Sequence, residues 1–339
     1  MNTSPKQSHR ELFLLIPGVL LVAFMHLWKL TSIPGGFNVD EIAIAYDAKC
    51  LAQFGVNRSG ISYPFYLPNY GGSQAPLYTY SLVILFRLVG ASKLALRLVA
   101  AFYAFLGAFF GYRFAALVWP DSKKKYLWLY LYAIIPVFTM ETRYAMDSHL
   151  LMSVSMIALY FAASALSRDR VRDYVAAGLA FGLCLYSYAL AHFLVPVALL
   201  FLVIYRFRLN PFPFKKILAF VIPLFLLAIP HVCFQLVNLG ILNDFQIWKF
   251  TFIKPSLARS SEFDLSHFWL GWISLFRFTL GFDHLNYCNL KLFGTMYYLS
   301  VPFILAGIGL SIRDVIRSFK NRECDPSAIC LFWFLAIFF

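Results

Sequence analysis

The chain has 339 residues, of which 61% are hydrophobic and 13% charged, and its formal net charge is +13. A soluble domain contains roughly 45–50% apolar and about 25% charged residues, so this composition excludes a soluble domain and indicates an integral membrane protein. The basic residues lie in short clusters between apolar segments, as in cytoplasmic loops, and this distribution argues against nucleic acid as a partner.

Apolar segments that could cross a bilayer core of about 30 Å follow one another along most of the chain. They are residues 12–30, 94–118, 126–142, 150–166, 174–191, 192–205, 217–236, 295–311 and 327–339. The first follows Lys6 and Arg10 without a small-residue cleavage site, so we interpret it as a span and not as a signal peptide. The last reaches the end of the sequence, and we expect it to be incomplete.

A further apolar stretch, Pro76–Val89, decides the topology. If it crossed the membrane, the basic cluster 123–125 would lie outside and every later loop would be inverted. As a helix it would reach only about 21 Å, at about 1.5 Å per residue. We therefore predict an interfacial helix on the outer face, with its aromatic residues at the depth of the headgroups.

The sequence thus predicts an all-α polytopic membrane protein in three parts. A membrane module over residues 1–236 has seven spans and contains the outer loop 31–93 with its interfacial helices. A second large outer loop covers residues 237–294, and further spans cover residues 295–339. We also expect an amphipathic surface helix at Phe268–Leu280.

Two adjacent carboxylates, Asp40 and Glu41, follow the first span. Carboxylates at the end of a membrane helix are costly to desolvate unless they have a function or a partner. By position alone, the simpler interpretation is a solvated pair that begins a helix over Ile42–Phe54, with Asp40 near its N-cap. A catalytic role is the alternative.

A second polar group follows the third apolar segment on the same predicted side. Arg143 and Asp147 are four residues apart, the spacing of a structural ion pair worth about 0.3–0.5 kcal/mol if exposed. The functional alternative is a phosphate-binding arginine, because a guanidinium pairs bidentately with phosphate oxygens. His149 is most simply an interfacial histidine. Lys93 and Arg97 begin the second span, where they either snorkel or face an anionic donor.

These motifs, in this order, resemble the polyprenyl-phosphate-sugar transferases of the GT-C superfamily, in particular the protein O-mannosyltransferases and the lipid A aminoarabinose transferases. The resemblance extends from Ile33 to Phe207. Four stretches carry it, PGGFNVDE at 34–41, APLYTY at 75–80, SKLALRL at 92–98 and the segment 142–151. The sequence departs from the aminoarabinose transferases at Gln74 and Ala75, where those enzymes have a lysine before a Pro-Pro segment.

The resemblance implies that Asp40, with Glu41 beside it, is the catalytic base that takes the proton from an acceptor hydroxyl. The hydroxyl would then displace a polyprenyl phosphate with inversion of configuration. Cations are expected near the departing phosphate, with Arg143 as the first choice and Arg97 and Lys93 behind it.

Further residues are expected to complete this site. The supporting residues are Asp147, His149 and Tyr78, and the second outer loop offers the cations Lys249, Lys254 and Arg259. Oligosaccharyltransferase relatives bind a divalent metal through carboxylates of two outer loops, which Asp40 and Asp147 could imitate, whereas mannosyltransferase-like members need no metal. We expect no metal or other cofactor.

The expected partners are a polyprenyl-phosphate-sugar donor, a glycan, lipid or protein acceptor, and membrane lipids. The resemblance favours a bacterial plasma membrane over the endoplasmic reticulum, with the site on the extracytoplasmic face. A flippase for a lipid-linked sugar is the alternative, but it would need polar residues along a path through the bilayer. Here the ionisable residues gather at the outer ends of the spans.

Overall fold

The computed structural model describes residues 5–69, 72–120, 122–141, 143–209, 213–254 and 296–337, together with residues 270, 273, 274 and 277. The described helices are α1 Pro5–Leu27, α2 Val39–Phe54, α3 Pro76–Val89, α4 Lys93–Val118, α5 Lys124–Ile134, α6 Pro136–Glu141, α7 Leu150–Arg168, α8 Val171–Leu185, α9 Ala191–Leu209, α10 Phe214–Asn238, α11 Val301–Asn321 and α12 Ala328–Ala336. Two antiparallel hairpins join β1 Leu67–Asn69 to β2 Gly72–Gln74 and β3 Phe245–Ile247 to β4 Phe250–Phe252. The all-α prediction is therefore confirmed.

Within the described residues, five helices are long and apolar enough to cross a membrane. They are Lys93–Val118, Asp147–Arg168, Ala191–Leu209, Phe214–Asn238 and Tyr298–Asn321, and Glu11–Leu27 and Pro76–Val89 are shorter apolar helices. The predicted count of seven spans in residues 1–236 therefore stays a prediction. The helix at Pro76–Val89 has the predicted bounds, while its position at the membrane surface also stays a prediction.

The third predicted span, 126–142, is not one continuous helix. It is divided into α5 and α6 because Pro136 has no N–H to continue the helical hydrogen bonds. The residue before it, Ile135, has the extended backbone that a following proline favours, with φ −71° and ψ 126°. The polar segment 143–149 follows this break.

The core of the helical bundle is packed through small residues. A Cβ on Gly178 of α8 would lie 2.2 Å from the carbonyl oxygen of Phe220 in α10, so this glycine lets the two helices approach closely. A Cβ on Gly107 of α4 would lie 3.1 Å from the Cα of Ser153 in α7. Close approach through small residues is the usual way in which membrane helices gain packing energy without a hydrophobic driving force.

The loop 31–93 is built on α2 and α3, which pack against each other. Helix α2 begins at Val39, three residues before the predicted Ile42, because Asn38 and Glu41 form a capping box. The Asn38 side chain accepts from Asp40 N at 2.9 Å, and Glu41 accepts from Asn38 N at 2.8 Å. Asn38, and not Asp40, is therefore the N-cap.

The described part of the loop 237–294 contacts the loop 31–93 through the β3–β4 hairpin. Phe65 N donates to Thr251 O at 2.8 Å, and Thr251 N donates to Tyr63 O at 3.1 Å. The aromatic rings of Phe65 and Phe252 stack with centroids 5.0 Å apart. The hairpin thus covers one side of the first loop. Most of the helix predicted at Phe268–Leu280 lies outside the described residues.

Candidate active site

Asp40 lies in the first turn of α2 and faces the β1–β2 hairpin. Its Oδ1 accepts hydrogen bonds from Asn69 Nδ2 at 2.9 Å and from Gln74 Nε2 at 3.4 Å. None of the residues that the structure describes donates a hydrogen bond to Oδ2. The side chain is half-buried. One carboxylate oxygen is therefore fixed and the other is open to a reactant.

Asp147 reaches the same hairpin from the segment after α6. Its Oδ2 accepts from Ala75 N at 2.8 Å, one residue beyond Gln74, and its Oδ1 accepts from Ser148 N at 2.9 Å. Asp40 and Asp147 are close enough for their charges to interact. The structure thus brings together the two acidic positions that the sequence analysis placed on one side.

Glu41, predicted to be catalytic beside Asp40, points away from this site into the protein. It is fully buried, and its Oε1 accepts from Ala145 N at 3.0 Å and from Arg97 Nε at 3.3 Å. Its Oε2 accepts the N–H of Asn38 in the capping box. Because burial and these bonds occupy the carboxylate, the structure gives Glu41 a structural position instead of a catalytic one.

Arg97, predicted to bind the donor phosphate, is also fully buried. Besides its ion pair with Glu41, its guanidinium donates to the carbonyl oxygens of Leu30, Pro34 and Gly36 at 3.0, 2.8 and 2.8 Å. These carbonyls belong to the irregular segment between α1 and α2, which has few backbone partners of its own, and buried carbonyls need donors. The guanidinium supplies them, so Arg97 is not placed to meet a phosphate.

Arg143, the first choice for that role, has the same kind of environment. It donates to Met25 O and Trp28 O, each at 2.6 Å, and to Ile33 O at 2.9 Å, and it is 8% exposed. Among the ion pairs of the described residues, none joins Arg143 to Asp147. Arg143 therefore fixes the end of α1 to the loop, and the predicted pairing with Asp147 is wrong.

The remaining predicted residues contact groups other than the Asp40 carboxylate in the bonds that the structure describes. Half-buried Lys93 donates to Gly35 O at 3.1 Å and lies 4.8 Å from the ring centroid of Phe37. Tyr78 is fully buried and donates to a backbone carbonyl, Leu96 O, at 2.8 Å. His149 is 9% exposed beside the Tyr144 ring.

The cation that does join the Asp40 site is Arg58, which the sequence analysis missed. Its Nη2 donates to Asn69 Oδ1 at 2.8 Å and to Pro68 O at 2.9 Å, and its Nε lies 3.7 Å from Asp47 Oδ1. Burial raises the pKa of Asp47, and Arg58 opposes that shift. The available signal was Asp47 itself, a carboxylate at the apolar positions of α2 that needs a buried partner.

An apolar cavity of about 510 Å³ begins beside this polar site. Its lining residues are Phe65, Pro76, Leu77, Tyr80, Tyr186, Pro230, Ile247, Phe250 and Phe252. Pro76 directly follows Ala75, whose N–H binds Asp147. Lys249 stands at the turn of the hairpin that covers the cavity, with its Nζ 5.5 Å from the centroid of Trp248. Lys254 follows the same hairpin, and Arg259 lies outside the described residues.

Asp40 and Asp147 are the carboxylates that a divalent cation would use here. Within the described ranges, no group of three or more His, Cys, Asp or Glu side chains is arranged to hold a metal ion. Both oxygens of Asp147 already accept backbone N–H groups. Because Mg²⁺ and similar cations can bind through one or two carboxylates with water and phosphate oxygens as further ligands, the expectation that the protein needs no metal stays a prediction.

Comparison with known proteins places the fold. The family model described as dolichyl-phosphate-mannose-protein mannosyltransferase matches residues 73–234. No curated protein matches the chain in sequence. The solved structure of the oligosaccharyltransferase AglB from Archaeoglobus fulgidus, in complex with an inhibitory peptide and a dolichol-phosphate, is similar with a TM-score of 0.57 and 16% identity over 99% of this chain. ArnT from Cupriavidus metallidurans, bound to undecaprenyl phosphate, is similar with a TM-score of 0.60 and 15% identity over 96% of this chain.

The chain is shorter than these structures. It covers 48% of the AglB chain and 59% of the ArnT chain, so it spans about half the length of the solved proteins that it matches. At 15–16% identity, the similarity to these solved structures shows a shared fold and nothing more specific.

Proposed function

We propose that the chain is a glycosyltransferase of the GT-C superfamily, which its fold and its family match over residues 73–234 support. The proposed reaction moves a sugar from a polyprenyl-phosphate-linked donor to an acceptor hydroxyl. The observation that carries this proposal is the half-buried Asp40 carboxylate, which has one oxygen held by two side-chain amides and no hydrogen-bond donor on the other among the described residues.

In the proposed reaction Asp40 is the general base. Its open Oδ2 takes the proton from the acceptor hydroxyl, for which the two oxygens must approach to about 2.6–3.2 Å. The hydroxyl oxygen then attacks the anomeric carbon from the side opposite the phosphate, the bond from that carbon to the phosphate oxygen breaks, and the polyprenyl phosphate leaves with the electron pair. Such a displacement inverts the configuration at the anomeric carbon.

The donor would place its isoprenoid chain along the apolar cavity. This cavity is lined by aromatic and aliphatic side chains and is open to the surroundings, which suits a branched hydrocarbon. Negative charge grows on the departing phosphate, so a cation near the cavity would stabilise the transition state. Since Arg97 and Arg143 are occupied by carbonyl groups, we propose Lys249, at the turn of the covering hairpin, for this role.

The site is proposed to face the extracytoplasmic side. It lies at the ends of α4, α7, α8, α9 and α10 opposite to the basic clusters, because Lys216 and Asp169 pair at the other ends of α7 and α10. Basic clusters mark cytoplasmic loops. The donor lipid, a glycan, lipid or protein acceptor, and a bacterial plasma membrane are parts of the same proposal.

The proposal is tested in a strain that lacks the gene and is complemented with the wild-type chain or with Asp40→Asn. Mass spectrometry of envelope glycans, lipids and glycoproteins should show a sugar addition that requires the wild-type gene and is lost with the variant. The sugar and its acceptor would be read from the mass difference. Identical envelopes in the strains with and without the gene would disprove glycosyl transfer, and a product formed normally by Asp40→Asn would remove Asp40 as the base.

A further inference from the structure

A chain of hydrogen bonds links the Asp40 carboxylate to a buried carboxylate in the same loop. Asp40 Oδ1 accepts from Asn69 Nδ2 at 2.9 Å, and Asn69 Oδ1 accepts from Arg58 Nη2 at 2.8 Å. Arg58 also donates its backbone N–H to Asp47 Oδ1 at 3.0 Å, and Asp47 is completely buried in α2. From Asp47 through Arg58 and Asn69 to Asp40, the groups are a carboxylate, a guanidinium, an amide and a second carboxylate. Each hydrogen bond therefore joins a donor to an acceptor.

We propose that Arg58 and Asn69 are positioning residues that orient Asp40 for proton transfer. The inference rests on the proposed function and adds to it the residues that aim the base. Neither side chain needs to touch the donor or the acceptor. Their effect is to fix Oδ1, so that the remaining oxygen, Oδ2, points to the place where an acceptor hydroxyl would bind.

Arg58 determines which way the Asn69 amide faces. An arginine side chain can only donate hydrogen bonds, so the group that it contacts on Asn69 must be the amide oxygen. The amide nitrogen is then directed at Asp40, where it donates to a carboxylate that can only accept when ionised. Without Arg58 the amide could turn by 180° and present its oxygen to Asp40, which would repel the base.

Arg58 is itself fixed by its other contacts. Its Nη2 also donates to Pro68 O at 2.9 Å, and its Nε lies 3.7 Å from Asp47 Oδ1. Asp47 is 0% exposed, whereas the Arg58 side chain is 23% exposed. The buried Asp47 carboxylate thus holds Arg58 in place, and Arg58 fixes the orientation of the Asn69 amide. Gln74, the other donor to Asp40, is more distant at 3.4 Å and its Oε1 has no partner among the described residues, so it orients the base less strongly.

The test measures kcat and donor KM of the purified full-length chain in lipid nanodiscs. The donor probes are undecaprenyl-phosphate-linked mannose, glucose and aminoarabinose, with the acceptor that the envelope analysis identifies, and the donor that turns over is used for kinetics. Asn69→Asp keeps the size of the side chain but replaces the amide donor by a carboxyl group, whose negative charge also repels Asp40. We expect kcat to fall by about 10–100-fold, since a misplacement of about 1 Å can cost that much, while donor KM changes by less than about threefold.

Arg58→Lys and the pair Arg58→Ala and Asn69→Ala extend the test. A lysine has no fork with which to reach Asn69, Pro68 and Asp47 together, so Arg58→Lys should also lower kcat. If Arg58 acts through Asn69, the double variant should be no slower than Asn69→Ala alone. Additive losses, or a rise in donor KM with unchanged kcat, would overturn the proposal and indicate that Arg58 contacts the donor.

Arg87→Ala is the matched control. Arg87 is another arginine of the first loop, and it donates to Tyr63 Oη at 2.7 Å and to Leu51 O at 3.3 Å without joining the Asp40 chain. Its kcat should stay within about twofold of wild type. Melting temperatures identify variants that do not fold. The conclusion depends on a loss of kcat in Asn69→Ala, which removes the donor without adding a charge, as well as in Asn69→Asp, which preserves the shape and the Arg58 contact.

The two proposals fail in different ways. No turnover of any donor by the wild-type chain, or full turnover by Asp40→Asn, would contradict the proposed function. A wild-type chain that turns over, an inactive Asp40→Asn and a fully active Asn69→Asp would contradict only the positioning role.

Discussion

Charged groups in and around the loop 31–93 form two regions that differ in what they contact. In the scaffold region, Arg143 donates to backbone carbonyls of residues 25–33, and Arg97 donates to three carbonyls of residues 30–36 and to the buried Glu41 carboxylate. In the region of Asp40 and Arg58, the contacts join side chains to side chains, and Asp40 is half-buried. A conspicuous charge at the end of a membrane helix can therefore serve the backbone of an irregular segment, and only the second pattern leaves a carboxylate oxygen open.

The largest difference between the regions should appear in turnover. Asp40→Asn removes the base but keeps the size and the polar character of the side chain. We expect transfer to fall by about 10²–10⁴-fold, the usual contribution of general acid–base catalysis, without a change in melting temperature. The matched variant is Glu41→Gln in the next position, whose activity per folded molecule should stay within a few-fold of wild type. A loss of turnover in folded Glu41→Gln as large as that of Asp40→Asn would erase the distinction between the regions.

Melting temperature should fall more for variants of the region of Arg97 and Arg143 than for variants of the region of Asp40. Arg97→Leu leaves the fully buried Glu41 without its ionic partner, and breaking a buried pair in this way costs about 3–5 kcal/mol. The melting temperature in detergent should fall accordingly. Arg87→Leu, which removes an exposed arginine of the same loop, serves as the control and should lower it far less. Equal melting temperatures for Arg97→Leu and wild type would show that the buried pair does not support the loop.

Arg143 and Lys249, the earlier and the present candidates for the phosphate ligand, should differ in their effects on donor KM and on stability. Arg143→Lys loses most of the contacts to Met25, Trp28 and Ile33, and we expect it to lower the free energy of unfolding by about 1.5–3 kcal/mol with donor KM unchanged. Lys249→Ala should raise donor KM about tenfold, since one charge-assisted hydrogen bond is worth roughly that much, with melting temperature unchanged. Donor titrations and thermal melts of both variants measure the four values. If the two effects were exchanged, Arg143 would be the phosphate ligand after all.

Much of the fold was predictable from patterns that involve only neighbouring residues. The bounds of Pro76–Val89 followed from its apolar run between a proline and a glycine. Helix α2 begins three residues before the predicted Ile42 because Asn38 and Glu41 cap each other's backbone N–H groups. The break at Pro136 was also readable from its missing N–H, but the apolar run 126–142 hid it.

The site was predicted less completely, and the reason is physical. Residue types and topology placed Asp40 and Asp147 on one side, and both reach the β1–β2 hairpin. They did not reveal which backbone carbonyls lack partners, and those carbonyls occupy Arg97 and Arg143. Arg58 stood in a turn with no motif around it, and its role depends on Asn69, a contact across 11 positions that no local pattern encodes.

The smallest expected effect concerns metal ions, and it probes the region of Asp40 most finely. The amide hydrogens of Asn69 and Gln74 point at Asp40 Oδ1, and the backbone N–H groups of Ala75 and Ser148 point at Asp147. These positively polarised hydrogens balance the carboxylates in the way that a cation would. We therefore expect EDTA to change turnover by less than about twofold, and added Mn²⁺ to have no effect. Loss of turnover that Mn²⁺ restores would contradict this expectation and would show that a cation joins the carboxylates of Asp40 and Asp147.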